Sequence, residues 1–312
     1  MNMAWKVWIG VAVAFTILYF AVEKSANTKL LLYNGLGLLS IAVLLFGLYA
    51  NRPPSMKPWL WFAGGLTSFL TADVIYYVIE LQAGNAGESV PFPNPADAFY
   101  LAMYPMMIVG LIKLVRDVAP GRSRASLIDG AIVGVAVFGI MFVLFVDDVV
   151  AFEQSPLSLV VSLAYPVMDV ALLAVAARLL VTVHLKHPPF AFIVTAIGAL
   201  AVADTGYQIY LTAGTFRTGL WVDAFWLTFY VGFAAGALHP SLGRPAPQQA
   251  DQDRLTPIQL VIMFIATLSV PLIDLFWGTP EDRKITIAAS ALLFLFVLIR
   301  VCLLYTSDAA DD

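Results

Sequence analysis

Carboxylates standing inside long apolar stretches, one helical turn from tyrosines, are the side chains best suited to chemistry. In the segment 72–81, ADVIYYVIEL, four polar residues would share one face of a helix: Asp73, Tyr76, Tyr77 and Glu80. In the segment 203–212, ADTGYQIYLT, the start of that pattern recurs as Asp204, Tyr207 and Gln208. A carboxylate beside phenol hydroxyls is suited to holding a proton, binding a cation or accepting interhelical hydrogen bonds.

A second pair of segments repeats the combination of acidic and aromatic side chains. DAFYLAMY at 97–104 and DAFWLTFY at 223–230 share Asp-Ala-Phe, an aromatic fourth residue, a leucine and a final tyrosine. If these segments lie beside the first pair, their polar residues are candidates to line one pocket. The acids of that pocket would be Asp73, Asp97, Asp204 and Asp223, with the rings of Tyr100, Tyr104, Trp226 and Tyr230.

A structural role at helix starts competes with ligand binding for three of the acids. In NPADAF, Asn94 is typical of an N-cap, Pro95 of the first helical position and Asp97 of the third. In SLID, Ser126 and Asp129 have the spacing of a capping box. A carboxylate in the first turn accepts free backbone N–H groups and complements the helix dipole. This role is the favoured interpretation for Asp97, Asp129 and Asp223.

Capping does not explain Asp73, Asp169 and Asp204, because each lies more than two turns from the end of its predicted helix. Two interpretations stay open for them. One is an interhelical hydrogen bond, worth about 1 kcal/mol inside a membrane. The other is ligand or proton sensing. The candidate sensing residues are therefore Asp73, Tyr76, Tyr77, Glu80, Asp97, Asp169, Asp204, Tyr207 and Asp223.

The composition identifies the solvent around these residues. Hydrophobic residues make up 61% of the 312, charged residues 12%, and the mean hydropathy is +0.86. Soluble domains contain about 25% charged residues. So much apolar surface does not fit inside one water-soluble core, and we expect lipid to surround the chain.

A membrane-spanning helix needs about 20 mostly apolar residues, and several stretches meet this condition. They are 5–22, 30–50, 57–82, 95–115, 125–147, 157–180, 190–212, 220–239, 256–276 and 284–304. The breaks carry turn residues, such as NRPPSMKP after the second stretch and AGNAGESVPFPNP after the third. The sequence therefore predicts an all-α, polytopic membrane bundle of about ten transmembrane helices.

Lysine and arginine determine the predicted orientation. The connection 113–124 contains four basic residues, whereas the neighbouring connections 83–94 and 148–156 contain none. With 113–124 in the cytoplasm, alternation places both termini and most of the 17 basic residues there. Asp73 and Asp204 then lie in the outer half of the membrane, and a pocket lined by them would open to the outside.

The repeated segments put helices three and four in correspondence with helices seven and eight. Helices three and seven cross the membrane in the same direction, so the repeats are parallel. We expect two parallel four-helix repeats, about 5–115 and 125–239, followed by helices nine and ten within 256–301. Many ten-helix transporters have inverted repeats instead, which disfavours a transporter.

Several classes of protein are disfavoured by what the chain lacks. The net charge of −4 and the absence of a basic run argue against a nucleic-acid partner. None of the motifs H-E-x-x-H, G-x-S-x-G and G-x-x-x-x-G-K-[ST] occurs. The three histidines lie at predicted helix ends or loops, and the single cysteine, Cys302, is near the end of the chain. We therefore expect no catalytic residues, no metal site and no cofactor.

Four segments resemble the multispanning N-terminal membrane sensor module of bacterial cyclic-di-GMP signalling proteins. They are NPADAFYLAMYPMMIVGLIKLVR, SLIDGAIVGVAVFG, AYPVMDVALLAVAARLL and VADTGYQIY, and the similarity covers most of residues 30–240. In that family a GGDEF diguanylate cyclase domain follows the last helix, often with an EAL phosphodiesterase domain after it. The resemblance implies a multi-pass sensor in the bacterial inner membrane. The family's catalytic residues lie in the soluble domains, and none maps onto this chain.

The final segment, CLLYTSDAADD at 302–312, resembles a translated sequencing adaptor. Written back as codons, it matches the mosaic end of a tagmentation transposase followed by adaptor. We expect these residues to be foreign to the natural gene, which would continue past Val301 toward an output domain. A native acidic cytoplasmic tail is the alternative.

The sequence therefore predicts a truncated sensory and signal-transduction module. Its expected partners are the lipid bilayer and a cytoplasmic output domain on the same chain, and a homodimer is left open. The alternative is a proton- or cation-coupled small-molecule transporter with Asp73, Asp169 and Asp204 along its path. A membrane-embedded enzyme ranks last, since only the clustered carboxylates favour it.

Overall fold

The computed structural model describes residues 3–22, 26–118, 124–146, 155–183, 187–244, 257–280 and 282–311. Within these ranges the chain forms helices and no strand. The helices are α1 Ala4–Ala21, α2 Ala26–Asn51, α3 Lys57–Ala86, α4 Pro95–Val118, α5 Arg124–Met141, α6 Pro156–Val183, α7 Pro188–Thr212, α8 Val222–Leu238, α9 Pro257–Trp277 and α10 Arg283–Asp311. A π-helical segment, Phe142–Val146, extends α5, and a 3₁₀ turn, Pro240–Gly243, follows α8.

Each of the ten predicted spans coincides with one helix, which confirms the all-α polytopic bundle. In the described part of the chain, nine helices are long and apolar enough to cross a membrane. The remaining helix, α8, is apolar but has only 17 residues. Twelve of the 17 residues of α8 are buried by neighbouring helices, although Phe225 and Thr228 are exposed. The cellular membrane and the sides of the two termini stay predictions.

Local sequence signals account for several helix ends. Asn94 caps α4, since its Oδ1 accepts the backbone N–H of Ala96 at 3.0 Å, and Pro95 begins the helix as predicted. The carboxylate of Asp97 accepts the backbone N–H of Asn94 at 2.7 Å, which confirms its capping role. At the C-terminal end of the preceding helix, α3, Gly87 has φ 73°, the left-handed conformation that ends many helices.

The predicted capping box at the start of α5 is wrong. The helix begins at Arg124, three residues before the position 127 at which a Ser126 cap would start it, so Ser126 lies inside the helix rather than at its N-cap. Asp129 is therefore beyond the first turn and too far along the helix to accept its free N–H groups. Its carboxylate instead accepts a hydrogen bond from the guanidinium of Arg300 in α10. A long-range ion pair has replaced the local interaction.

The helices form two compact units, each built from separate parts of the chain. The first unit comprises Met1–Leu114 and Leu185–Ala246, and the second comprises Val115–His184 and Pro247–Asp312. The first unit thus contains α3, α7, α8 and α4 as far as Leu114, and so all of the repeated segments. These units do not coincide with the two predicted four-helix repeats, whose boundaries stay a prediction.

Small residues allow close helix packing inside the first unit. At Gly47 of α2, an added Cβ would lie 2.6 Å from the backbone carbonyl carbon of Ala237 in α8. At Gly232 of α8, it would lie 2.8 Å from the Cβ of Ala196 in α7. The glycine spacing of GFAAG at 232–236 therefore serves packing within the chain. Buried aromatic rings fill the core beside these contacts, including Phe62, Phe69, Phe229 and Phe233.

The second unit has its own apolar core, which joins α5, α9 and α10. Its buried members are Ile132, Ala136, Met263, Ala266, Val270, Ala289 and Leu293. On another face of α5, a Cβ at Gly130 would lie 3.0 Å from the backbone oxygen of Ala174 in α6. The spacing GAIVG at 130–134 therefore also serves packing within the chain.

Candidate functional site

Asp73 is a buried acid that joins three helices of the first unit. It lies near the middle of α3 with 5% of its surface exposed. The hydroxyl of Tyr100 in α4 donates to its Oδ1 at 2.8 Å. The hydroxyl of Tyr230 in α8 donates to its Oδ2 at 2.7 Å. Both oxygens therefore accept a hydrogen bond from a phenol, and each phenol comes from a different helix.

Asp204 of α7 has an equivalent pair of donors. The indole Nε1 of Trp226 in α8 donates to its Oδ1 at 2.7 Å. The hydroxyl of Tyr104 in α4 donates to its Oδ2 at 2.8 Å. Asp204 is only partly buried, in contrast to Asp73. It nevertheless connects the same two helices, α4 and α8, to a third.

The two sets of hydrogen bonds follow the positions of the repeated motif. The fourth motif residue donates to the acid of the helix that precedes its own in the chain: Tyr100 of α4 to Asp73 of α3, and Trp226 of α8 to Asp204 of α7. The eighth motif residue donates to the acid that is more distant in the chain: Tyr104 of α4 to Asp204, and Tyr230 of α8 to Asp73. One turn separates these positions, so α4 and α8 each reach both acids. We call the six side chains the carboxylate–ring network: Asp73, Tyr100, Tyr104, Asp204, Trp226 and Tyr230.

The acids that begin α4 and α8 do not play the same part as Asp73 and Asp204. Asp97 is buried and accepts a backbone N–H at the start of its own helix, as described above. Asp223 accepts the backbone N–H of Gly219 at 2.7 Å, just before α8 begins. It also accepts a hydrogen bond from the hydroxyl of Tyr19 in α1. Asp223 therefore combines a first-turn position with a long-range contact.

Tyr19 and Lys29 were not predicted as site residues, although Tyr19 contacts Asp223 and Lys29 lies beside Tyr19. The ammonium of Lys29 lies 5.7 Å from the centroid of the Tyr19 ring, within cation–π range. The sequence marks this place only by the glycine in RTGLW. Gly219 has φ 99°, a backbone conformation that favours glycine. Its lack of a side chain leaves room for the Lys29 ammonium.

The connection between α7 and α8 covers the polar face of α3 and α7. The hydroxyl of Thr218 donates to Oε1 of Glu80 at 2.7 Å. The ring of Phe216 packs edge-on against Tyr207, with centroids 4.6 Å apart, and also contacts Trp226. Glu80 and Tyr207, both predicted site residues, are thereby held by the same nine-residue connection, 213–221.

The remaining predicted residues have different positions. Tyr76 and Tyr77 are half-buried on α3, and the ring of Tyr77 lies 6.0 Å from that of Tyr33 in α2. Tyr33, which the sequence did not single out, is buried. Asp169 is buried too, but it belongs to the second unit. The structure therefore brings together most, but not all, of the predicted set.

The carboxylate–ring network is suited to responding to a proton or a cation. Its two carboxylates accept hydrogen bonds from neutral donors, so a change in their charge alters four interhelical contacts together. Carboxylates at membrane depth are costly and are commonly tied to function. Among the described residues, no three histidine, cysteine or acidic side chains come together to hold a metal ion. The outward-opening pocket stays a prediction.

Comparison with known proteins gives no relative from which a function could be transferred. No family model, curated protein or solved structure matches the chain.

Proposed function

We propose that the chain is a membrane-embedded sensory module that regulates a diguanylate cyclase or phosphodiesterase domain. The observation that carries the proposal is the carboxylate–ring network, which ties α3, α4, α7 and α8 together through equivalent motif residues. The resemblance of these motif segments to the membrane modules of cyclic-di-GMP signalling proteins supports the choice of output. The proposed location is the bacterial inner membrane, with both termini in the cytoplasm.

The proposed mechanism begins with a cue that changes the charge or the hydrogen bonding of Asp73 or Asp204. Because each acid holds both α4 and α8, such a change would favour a different packing of these helices. A cue shifts this equilibrium only by its difference in affinity for the two packings. The last helix, α10, would carry the change to the output domain.

The output domain is tested by sequencing the genomic locus beyond the codon for Val301. We expect an open reading frame that encodes a GGDEF or an EAL domain in frame with α10. A stop codon soon after this position, with no such domain, would contradict the proposed output.

A proton-coupled transporter is the second candidate, and the buried position of Asp73 favours it. The test is uptake of candidate substrates into vesicles with a pH gradient, comparing the unaltered chain with Asp73→Asn and Asp204→Asn. A sensory module is expected to show no coupled uptake. Uptake that both variants abolish would identify a transporter and contradict the proposed sensory role.

A further inference from the structure

A buried ion pair joins α5 to α10 inside the second unit. The Nε of Arg300 donates to Oδ1 of Asp129 at 3.0 Å. Arg300 is 0% exposed and Asp129 is 4% exposed. Asp129 was expected from the sequence to cap its own helix, and no partner was predicted for Arg300. Their mutual contact is therefore a feature that only the fold reveals.

The ion pair continues the apolar interface between the two helices. On α10, Arg300 lies two turns after Leu293 and so falls on the same face. On α5, Asp129 lies one turn before Ile132, another member of the buried core. Apolar contacts between helices tolerate small rotations and shifts. A buried ion pair does not tolerate them, because a charge that is separated from its partner stays in an apolar environment without compensation.

We propose that the Asp129–Arg300 pair is a register latch, which holds α10 at one rotation and one axial position against α5. A buried polar pair that selects one register among several apolar alternatives is the best-attested role of such groups. The latch rests on the proposed function only for its consequence: α10 is the helix proposed to carry the signal onward. The register itself is measurable without any output.

The register is tested by cross-linking in the full chain with its single cysteine replaced, Cys302→Ser, in native membranes. One cysteine pair, Ile132→Cys with Leu293→Cys, joins two residues of the buried core. The other, Ile132→Cys with Leu292→Cys, places the second thiol on the exposed side of α10. A short bifunctional thiol reagent is applied, and the ratio of the two cross-linking rates reports the rotation of α10.

We expect Asp129→Asn and Arg300→Gln each to lower this ratio about tenfold, which corresponds to a latch contribution of about 1.4 kcal/mol. The exchanged pair, Asp129→Arg with Arg300→Asp, should restore part of the ratio. The matched controls are Arg283→Gln, an exposed arginine at the start of α10, and Asp117→Asn, an exposed acid. Both controls should leave the ratio unchanged.

If the single variants do not accumulate in the membrane, the apolar pair Asp129→Leu with Arg300→Met decides the question. This pair removes both charges, so it should fold and still show the lowered ratio. An unchanged ratio in the folded single variants, or in the apolar pair, would overturn the latch. A lowered ratio, with no effect of the same substitutions on cyclic-di-GMP concentration when they are made in the complete natural gene, would instead support the latch and contradict the proposed function.

Discussion

The hydroxyl of Tyr230 lies 2.7 Å from Oδ2 of Asp73, although 157 residues separate the two in the chain. The equivalent contact joins Tyr104 to Asp204. Each acid thus accepts a hydrogen bond from a tyrosine that is distant in the chain, so hydrogen bonds cross between the segments around 72–104 and those around 203–230. The stability of this part of the bundle should therefore depend on single hydroxyl groups.

Removing the hydroxyl of Tyr230 is the simplest test of its hydrogen bond to Asp73. Tyr230→Phe leaves the ring in place but deprives buried Asp73 of one donor, which should cost about 1 kcal/mol of unfolding free energy. The measurement is unfolding in mixed micelles with increasing denaturing detergent. Tyr49→Phe is the matched control, because Tyr49 is 75% exposed. Equal stability of the two variants would show that the hydrogen bond contributes nothing.

The contact between α2 and α8 should not tolerate a side chain larger than hydrogen at Gly47. Gly47→Ala places a Cβ against the backbone of Ala237, and such overpacking should destabilise the protein by about 1–3 kcal/mol. Gly35→Ala on the same helix meets nothing within 4 Å and should be neutral or slightly stabilising. The same unfolding assay compares them. A loss of stability in Gly35→Ala as large as in Gly47→Ala would contradict the close packing.

The cap of α4 should have a measurable value. Asn94→Ala removes the acceptor for the N–H of Ala96 and should cost about 1 kcal/mol. Asn94→Ser, which restores an acceptor, should recover most of the loss. If alanine and serine are equivalent in the unfolding assay, the cap is not stabilising.

The predicted orientation is tested by labelling single cysteines in whole cells with a membrane-impermeant maleimide. In the Cys302→Ser background, Thr215→Cys lies in the exposed connection between α7 and α8 and should react from outside. Met56→Cys, between α2 and α3, should react only after the cells are made permeable. The opposite pattern would reverse the orientation that lysine and arginine predict.

The helices were predictable because each is a long apolar stretch bounded by glycine, proline or polar residues. Such a pattern can be recognised within one continuous segment of the sequence. The network was partly predictable because its acids and rings recur in two aligned motifs. The repeated motif predicted that its aromatic residues lie near the acids. In the structure these residues donate hydrogen bonds to Asp73 and Asp204; they are Tyr100, Tyr104, Trp226 and Tyr230.

Partners far apart in the chain were not predictable. Helices that are apolar on all sides carry little information about which face meets which neighbour. Tyr19 was therefore not connected with Asp223, and Arg300 was not connected with Asp129. The SLID segment shows the converse, since a local capping signal was overridden by an ion pair with a helix near the end of the chain.

The most direct test of the account is the cellular concentration of cyclic di-GMP with the complete natural gene expressed. Asp73→Asn and Asp204→Asn should each change this concentration, by about fivefold if the network contributes about 1 kcal/mol to the sensory equilibrium. Tyr49→Phe should leave it unchanged. Equal concentrations for the unaltered protein and both acid variants, at equal amounts of folded protein in the membrane, would contradict the account.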